Sequence, residues 1–186
     1  MNEYEFTLKF AIPEDLDPEV LEARLFENGC DDALVGLGQP GRLALSFTRE
    51  ASSADSAMTS AIEDVQAAVP QARLVEANPD IVGVTEMAGL FQFSRQNMRK
   101  LVQRHSESFP LPLHEGQQAL WHLADVLDWF AARGQGAVDS RLREVARSCM
   151  VVNIRREAER LECRGQNPAD GIPASGVRGD SRHTPP

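Results

Sequence analysis

Two short helical patterns joined by a tight turn, within residues 83–134, constrain the fold more than any other feature of the chain. The first pattern has apolar residues at Met87, Ala88 and Phe91, which is the spacing of one buried helical face. Thr85 precedes them and can accept backbone N–H bonds as an N-cap. The segment therefore predicts a short helix that begins near Thr85 and buries one face.

The second pattern follows a predicted turn at residues 92–93 and begins with another N-cap candidate, Ser94. Its apolar positions, Met98, Leu101 and Val102, again share one helical face. The outward positions carry basic and amide side chains, with no carboxylate among them. They are Arg95, Gln96, Asn97, Arg99, Lys100, Gln103 and Arg104.

This outward face has the chemistry of a DNA-reading surface. Arg and Lys neutralise phosphates or bond guanine edges, and Asn and Gln can bond an adenine edge through two hydrogen bonds. A solvated basic face on an ordinary helical hairpin is the alternative for such a helix. The pairing of two capped helices across a turn favours DNA binding over that alternative.

A short hairpin is predicted after the second helix. Pro110 and Pro112 exclude a helix and favour an extended segment, residues 114–117 can turn, and an extended run resumes after them. We interpret this hairpin as a wing. Helical spacing then returns over residues 123–130, and Gly134 is expected to end that helix as a C-terminal cap.

Four short motifs within residues 84–133 indicate a class of protein. They are VTEMA from Val84, Ser94-Arg95, FPLP from Phe109, and Trp121 followed by DVxxW from Asp125. With these motifs, the segment resembles the small winged helix-turn-helix regulators of the AlpA and excisionase type, which are related to the MerR fold. Relatives usually have a glycine in the turn and an Arg or Lys at the wing tip. This chain has Gln92 in the turn and neither Arg nor Lys at the wing tip.

The resemblance implies that the second helix enters the major groove of DNA, and that the wing contacts the neighbouring backbone or minor groove. Together with the outward face of the second helix, it implies that double-stranded DNA is the partner. The expected DNA-contacting residues are Thr85, Ser94, Arg95, Gln96, Asn97, Arg99, Lys100, Gln103, Arg104, His114 and Gln117.

The net charge of -9 is distributed unevenly along the chain. Residues 1–82 contain 16 acidic and 5 basic side chains, a net charge of −11, whereas residues 83–134 contain five of each. Residues 135–186 contain 7 acidic and 9 basic side chains, a net charge of +2. Because phosphate would repel the acidic front, we expect that part to face away from DNA and to bind another partner, such as a basic protein.

The front of the chain, residues 1–78, follows the order β-α-β-β-α-β. This order predicts a ferredoxin-like sandwich, in which two helices cover one face of a four-stranded antiparallel sheet, so the overall class is α+β. Gly36 to Gly41 matches GxGxxG, but a strand pattern follows it, which favours a hairpin over a dinucleotide site. The predicted elements are strand 4–12, a helix between Asp17 and Gly29, strands 32–37 and 43–47, helix 53–69 and strand 72–76.

Residues 138–162 predict one long helix with an apolar stripe from Leu142 to Leu161. The stripe must either pack back on the chain or pair with a second copy. We expect a homodimer, because short DNA-binding modules commonly need two copies to reach two half-sites. Residues 164–186 are rich in glycine, proline, serine and charge, which predicts a disordered tail.

The sequence predicts no catalytic, cofactor or metal site. Cys30, Cys149 and Cys163 are an odd number at wide spacing, and the four histidines are scattered, so neither a disulfide framework, a zinc site nor a paired nucleophile is indicated. The chain also lacks an apolar run of membrane-spanning length and a signal peptide. We therefore expect a cytoplasmic protein that is not an enzyme.

These features together predict a sequence-specific DNA-binding transcriptional regulator. One version is an antitoxin-like autorepressor, whose acidic domain masks a basic toxin. A recombination directionality factor of the excisionase type has the same module and is an alternative. A further alternative is a protein-interaction or ligand-sensing adaptor, in which the winged module binds protein instead of DNA.

Overall fold

The computed structural model describes residues 1–134 and 138–165, so nearly all of the predicted disordered tail lies outside the described residues. The class is α+β, as predicted: the described residues contain six helices and one four-stranded antiparallel sheet, with a separate two-stranded pairing. In chain order, the elements are β1 (Asn2–Ala11), α1 (Pro18–Glu27), β2 (Ala33–Gly36), β3 (Arg42–Ala51), α2 (Ala54–Ala68), β4 (Arg73–Asn78), β5 (Ile81–Val82), α3 (Val84–Leu90), α4 (Arg95–Arg104), β6 (Trp121–His122), α5 (Leu123–Ala132) and α6 (Ser140–Gly165).

The four-stranded sheet has the order β2-β3-β1-β4, and every neighbouring pair is antiparallel. The alternation predicted for β1 is confirmed, since Tyr4, Phe6, Leu8 and Phe10 are at most 3% exposed. These side chains share one core with residues of β3, α1 and α2. The opposite face of β1 is polar and exposed at positions such as Glu5.

Local signals fix the ends of the front elements. The Asp17 carboxylate accepts hydrogen bonds from the backbone N–H groups of Glu19 and Val20 at 3.0 and 3.1 Å, so it caps α1 as predicted. The GxGxxG segment connects β2 to β3, and Gly41 takes a φ of +74° in that hairpin. A strand follows it, as predicted, so a pyrophosphate could not rest on a helix N-terminus there.

A second core lies under α3, α4 and α5. Met87 and Met98 are fully buried in it, which confirms the predicted inward faces of both short helices. Aromatic rings complete this core: Phe109 lies 5.0 Å from Trp129, and Phe130 lies 3.8 Å from Phe91, measured between ring centroids. The two short helices are therefore held on a rigid base provided largely by α5.

The first half of α6 packs back on the chain, which is one of the two predicted alternatives for its apolar stripe, whereas Ile154, Ala158 and Leu161 in the second half are exposed. Its Val145 and Cys149 belong to the front core, whereas Ala146 belongs to the second core. Near its start, Glu144 accepts hydrogen bonds from the Tyr4 hydroxyl at 3.1 Å and from the Ala54 backbone N–H at 2.9 Å. One helix thus contributes to both cores.

A buried polar junction joins the front sheet, α6 and the second core. Asp80 is 1% exposed, and its two carboxylate oxygens lie 2.7 Å from His122 Nδ1 and 2.8 Å from Asn153 Nδ2. Asn153 also donates to the Ala77 carbonyl and accepts from the Ala77 N–H, both at 2.8 Å. These bonds fix the entry of the chain into the segment that begins at residue 83.

None of the described helices is both long and apolar enough to cross a membrane.

Candidate nucleic-acid interface

The start of α3 differs from the prediction. Thr85 lies inside the helix and is exposed, and the N-cap position belongs to Gly83. The Glu86 carboxylate accepts a hydrogen bond from the Gly83 backbone N–H at 3.1 Å. Since Gly83 has no side-chain oxygen, this carboxylate supplies the capping interaction that was expected from a threonine.

The turn between α3 and α4 is a helix C-cap followed directly by an N-cap. Gln92 has a φ of 55°, and the Phe93 N–H bonds the Ala88 carbonyl at 2.8 Å while the Gln92 N–H bonds Gly89 at 3.3 Å. This is the Schellman arrangement, in which a residue in the left-handed region closes the helix. Gln92 therefore occupies the conformation for which relatives of the resembled family use glycine.

The N-cap of α4 is confirmed. The Asn97 backbone N–H donates to Ser94 Oγ at 3.1 Å, and the helix then runs from Arg95 to Arg104. Met98 is fully buried, and Leu101 and Val102 pack against the same core. The inward face of α4 is therefore fixed by packing, which determines where its other side chains point.

All seven predicted outward residues of α4 are exposed. Across residues 1–134 and 138–165, none of the ion pairs includes Arg95, Arg99, Lys100 or Arg104. By contrast, the fifth base of the segment is engaged: Arg133 donates to Ser108 Oγ at 2.7 Å and lies over the Trp129 ring. Four cations therefore face solvent along a single helix.

Three separate parts of the chain meet at a groove of about 320 Å³ beside α4. From α4 it receives Arg95, Arg99 and Gln103, which are four residues apart and so form one row along the helix. Thr85 of α3 and Gln117 of the loop before β6 face the same groove. The groove thus brings together five of the eleven predicted DNA-contacting residues. The other six do not line it: Ser94, Gln96, Asn97, Lys100, Arg104 and His114.

The sequence did not indicate every group in the groove. Gln118 and Trp121 also line it, and the Glu86 carboxylate contributes a negative charge there. Gln118 could not be identified from the sequence, because it lies in a loop, where no helical or strand periodicity shows which way a side chain points. The position of Glu86 follows from its capping bond, which directs the side chain back toward the start of α3.

The predicted wing hairpin is much shorter in the structure than a two-stranded ladder. Only one bridge, between His114 and Leu120, closes the loop, and β6 pairs instead with β5, which was not predicted. Pro110 and Pro112 have no backbone N–H to give to a ladder. The Pro110 carbonyl instead accepts the Trp121 indole N–H at 3.0 Å.

The loop tip is exposed at both predicted contact residues, but they differ in position. Gln117 lines the groove, whereas His114 does not, and the His114 ring lies against Gly116. The same segment exposes two leucines, Leu111 at 87% and Leu113 at 53%. The loop therefore offers an amide to the groove and an apolar surface outside it.

The buried thiols do not provide a reactive site. Burial raises the pKa of Cys30 to about 11 and the pKa of Cys149 to about 12. Both thiols are therefore protonated at neutral pH, and the thiol is a poor nucleophile and metal ligand. In the part of the chain that is described, no group of three or more His, Cys, Asp or Glu side chains is arranged to hold a metal ion.

Comparison with known proteins found no matching family model, no matching curated protein and no matching solved structure. The function of the interface therefore has to be inferred from its own residues and contacts.

Proposed function

We propose that this chain is a sequence-specific DNA-binding regulator, and that residues 83–134 form a winged helix-turn-helix module that places α4 in the major groove. The observation that supports this most is the exposed, unpaired cationic face of α4. A helix with four cations and three amides on its surface would ordinarily gain from nearby carboxylates. Among the described residues none of the four cations forms an ion pair, and such a face is suited to a polyanion that brings its own negative charge.

The groove beside α4 supports a division of roles in this proposal. Arg95 and Arg99, one turn apart, would bond phosphate or a guanine edge, and Gln103 continues their row. Gln117 approaches the row from the loop, and Thr85 approaches it from α3. Phosphate contacts would fix the position of the helix on the duplex, and amide contacts with base edges would supply the sequence preference.

The front of the chain is, in this proposal, a ferredoxin-like domain that binds a partner other than DNA. The strand order β2-β3-β1-β4 and the core shared with α1 and α2 support that assignment. Its net charge of −11 over residues 1–82 favours a basic protein as the partner. An antitoxin-like autorepressor would combine the two activities, with a basic toxin on the front domain and an operator on α4.

The decisive experiment begins with selection of bound duplexes from random DNA by the full chain. Affinity for the selected duplex is then measured for the variant R95A/R99A and for a matched control, R24A/R73A, which removes two exposed arginines of the front domain. We expect the first variant to lose at least about tenfold in affinity, because it removes two charge-assisted contacts. The control should bind like the wild type. Equal affinity of all three proteins would refute the proposal.

The selected duplex also separates a repressor from a recombination directionality factor. The second function requires DNA bending at an attachment site, and a bend changes the mobility of circularly permuted fragments in a gel. A straight complex would favour the repressor. A bent complex would favour the directionality factor.

A protein-binding adaptor is the second candidate, and the apolar loop favours it. Leu111 is 87% exposed and Leu113 53% exposed in the loop before β6, and exposed apolar side chains suit contact with a protein better than contact with phosphate. If the selection enriches no motif while L111S/L113S abolishes binding to a co-purified protein, the adaptor is the better account. If R95A/R99A loses binding to the co-purified protein but L111S/L113S keeps it, the adaptor function is not supported.

A further inference from the structure

The second half of α6 carries an apolar stripe that no described residue covers. Val151, Ile154 and Leu161 are 41%, 50% and 65% exposed, and Ala158 is exposed as well. The steps between these residues are three, four and three, which is the spacing of a coiled-coil seam. We call these four residues the α6 stripe.

The α6 stripe faces away from both cores. At about 100° per residue, it lies on the opposite side of the helix from Val145, Ala146 and Cys149, which are at most 2% exposed. The buried side is explained by packing within the chain. The stripe is not, and four apolar side chains in a row on one exposed helical face are unusual without a partner.

We propose that the α6 stripe is the contact surface for a second copy of this chain, with the two α6 helices antiparallel. The charges along the helix support this orientation. Arg156 and Arg160 are already paired with Glu157 within the helix. Among the described residues, the charges of 151–162 that form no ion pair are Arg155 in the first half and Glu159 and Glu162 in the second half. Antiparallel pairing places the positive half of one helix opposite the negative half of the other, and parallel pairing would place like charges together.

The spacing of the stripe also fits an antiparallel pair. A two-fold axis near residue 156 brings Val151 of one copy opposite Leu161 of the other, and Ile154 opposite Ala158. The larger side chain of the second pair thus faces the smaller, which allows close packing. Such a contact uses the same surface on both copies and closes after two, so it predicts a dimer and no larger assembly.

The C-terminal residues of the same chain would cover the α6 stripe less well than a second copy. Residues 166–186 follow α6 directly, but they contain only two large apolar residues, Ile172 and Val177, and four prolines. Proline disfavours the second helix that a seam of this spacing accepts. A second copy supplies four complementary apolar residues and opposite charges, so it satisfies the stripe better.

The first test is the mass of the full chain in solution without DNA, measured by sedimentation over a range of concentrations. We expect a concentration-dependent dimer, and we expect I154E/L161E to raise its dissociation constant at least tenfold. A matched control, F26E/L34E, changes two exposed apolar residues of the front domain and should leave association unchanged. Circular dichroism at a concentration where all three proteins are monomeric should report the same helix content, because every changed side chain is exposed.

The second test is the orientation, read from disulfide cross-linking in a C163S background, which removes the exposed native thiol. An equal mixture of the I154C and A158C chains should cross-link several-fold more than either chain alone. If either chain alone cross-links as much as the mixture does, the antiparallel contact is refuted. A full chain that stays monomeric at every concentration would mean that residues 166–186 or another protein covers the stripe, and would refute the proposal as a whole. Both tests omit DNA, so their outcome is independent of the proposed DNA binding.

Discussion

Single residues carry two features that the sequence alone could not assign. Gln92 holds the left-handed conformation that closes α3, although its φ of 55° is one that side chains with a Cβ adopt at a cost. Arg49 is 7% exposed and bonds Asp32, Asp64, Ser60 and the Gly29 carbonyl at 2.7–3.0 Å. The backbone sets the conformation of Gln92, whereas the environment of Arg49 is set by three side chains and one backbone carbonyl from four places in the front of the chain.

Replacing Gln92 by glycine should stabilise the protein. Glycine adopts a positive φ without the steric cost, so we expect Q92G to raise the free energy of unfolding by about 1 kcal/mol, measured by urea denaturation. The same substitution within a helix, Q66G, serves as the control and should lower the free energy of unfolding by roughly 0.5–1 kcal/mol. A destabilised Q92G would mean that the turn depends on the glutamine side chain.

Replacing Arg49 should be among the most damaging single substitutions in the front domain. The pKa of Arg49 is shifted by burial, which lowers it, and by the hydrogen bonds and charges of Asp32 and Asp64, which outweigh burial and raise it. In R49M both carboxylates lose their counterion, and since both are partly exposed we expect a loss of about 2–4 kcal/mol. The exposed-arginine variant R24M should change stability by less than about 0.5 kcal/mol in the same measurement.

At the level of elements, what could be predicted depended on how local the signal was. The start of α1 after Asp17, the N-cap of α4 and the inward face of α4 are each determined by a few neighbouring residues, and the structure has them where the sequence indicated. The pairing of β5 with β6 was missed, because two-residue strands give no period and their partners lie about 40 residues apart. The predicted wing hairpin closes over a single bridge, between His114 and Leu120, because Pro110 and Pro112 cannot donate to a longer ladder.

The candidate site followed the same rule. All seven outward residues of α4 were identified from helical spacing. Three of them, Arg95, Arg99 and Gln103, meet Thr85 and Gln117 at one groove, and that convergence depends on the loop, which the sequence did not fix. The position of Glu86 in the groove depends on its hydrogen bond with the Gly83 N–H, which helical spacing could not indicate. Composition and spacing therefore identified the chemistry of the site but not its shape.

The junction around Asp80 should hold the elements together. Asn153 makes three hydrogen bonds there, two to Ala77 and one to Asp80, and N153A would leave the buried Asp80 oxygen and Ala77 groups without partners. We expect N153A to lower the free energy of unfolding by about 2–3 kcal/mol. The helical asparagine N97A, whose side chain is exposed, is the control and should change stability by less than about 0.5 kcal/mol.

Across the whole molecule, the distribution of charge separates two parts of the chain that are packed together through α6. The net charge separates an acidic front from a helix that presents four unpaired cations, yet α6 contributes side chains to both cores. The shared helix ties the acidic part to the basic one through packing and through the Asp80 junction. Binding at one end can therefore affect the other end through contacts of α6 or through the bond between Asp80 and His122.

The central claim is that α4 binds duplex DNA, and the salt dependence of affinity for the selected duplex tests it most directly. If Arg95, Arg99, Lys100 and Arg104 each contact a phosphate, the logarithm of the association constant should fall with the logarithm of salt concentration with a slope of about −3 to −4 per bound copy. K100Q/R104Q should reduce the magnitude of that slope by about 2. A slope near zero, or one that this variant leaves unchanged, would contradict DNA binding through α4.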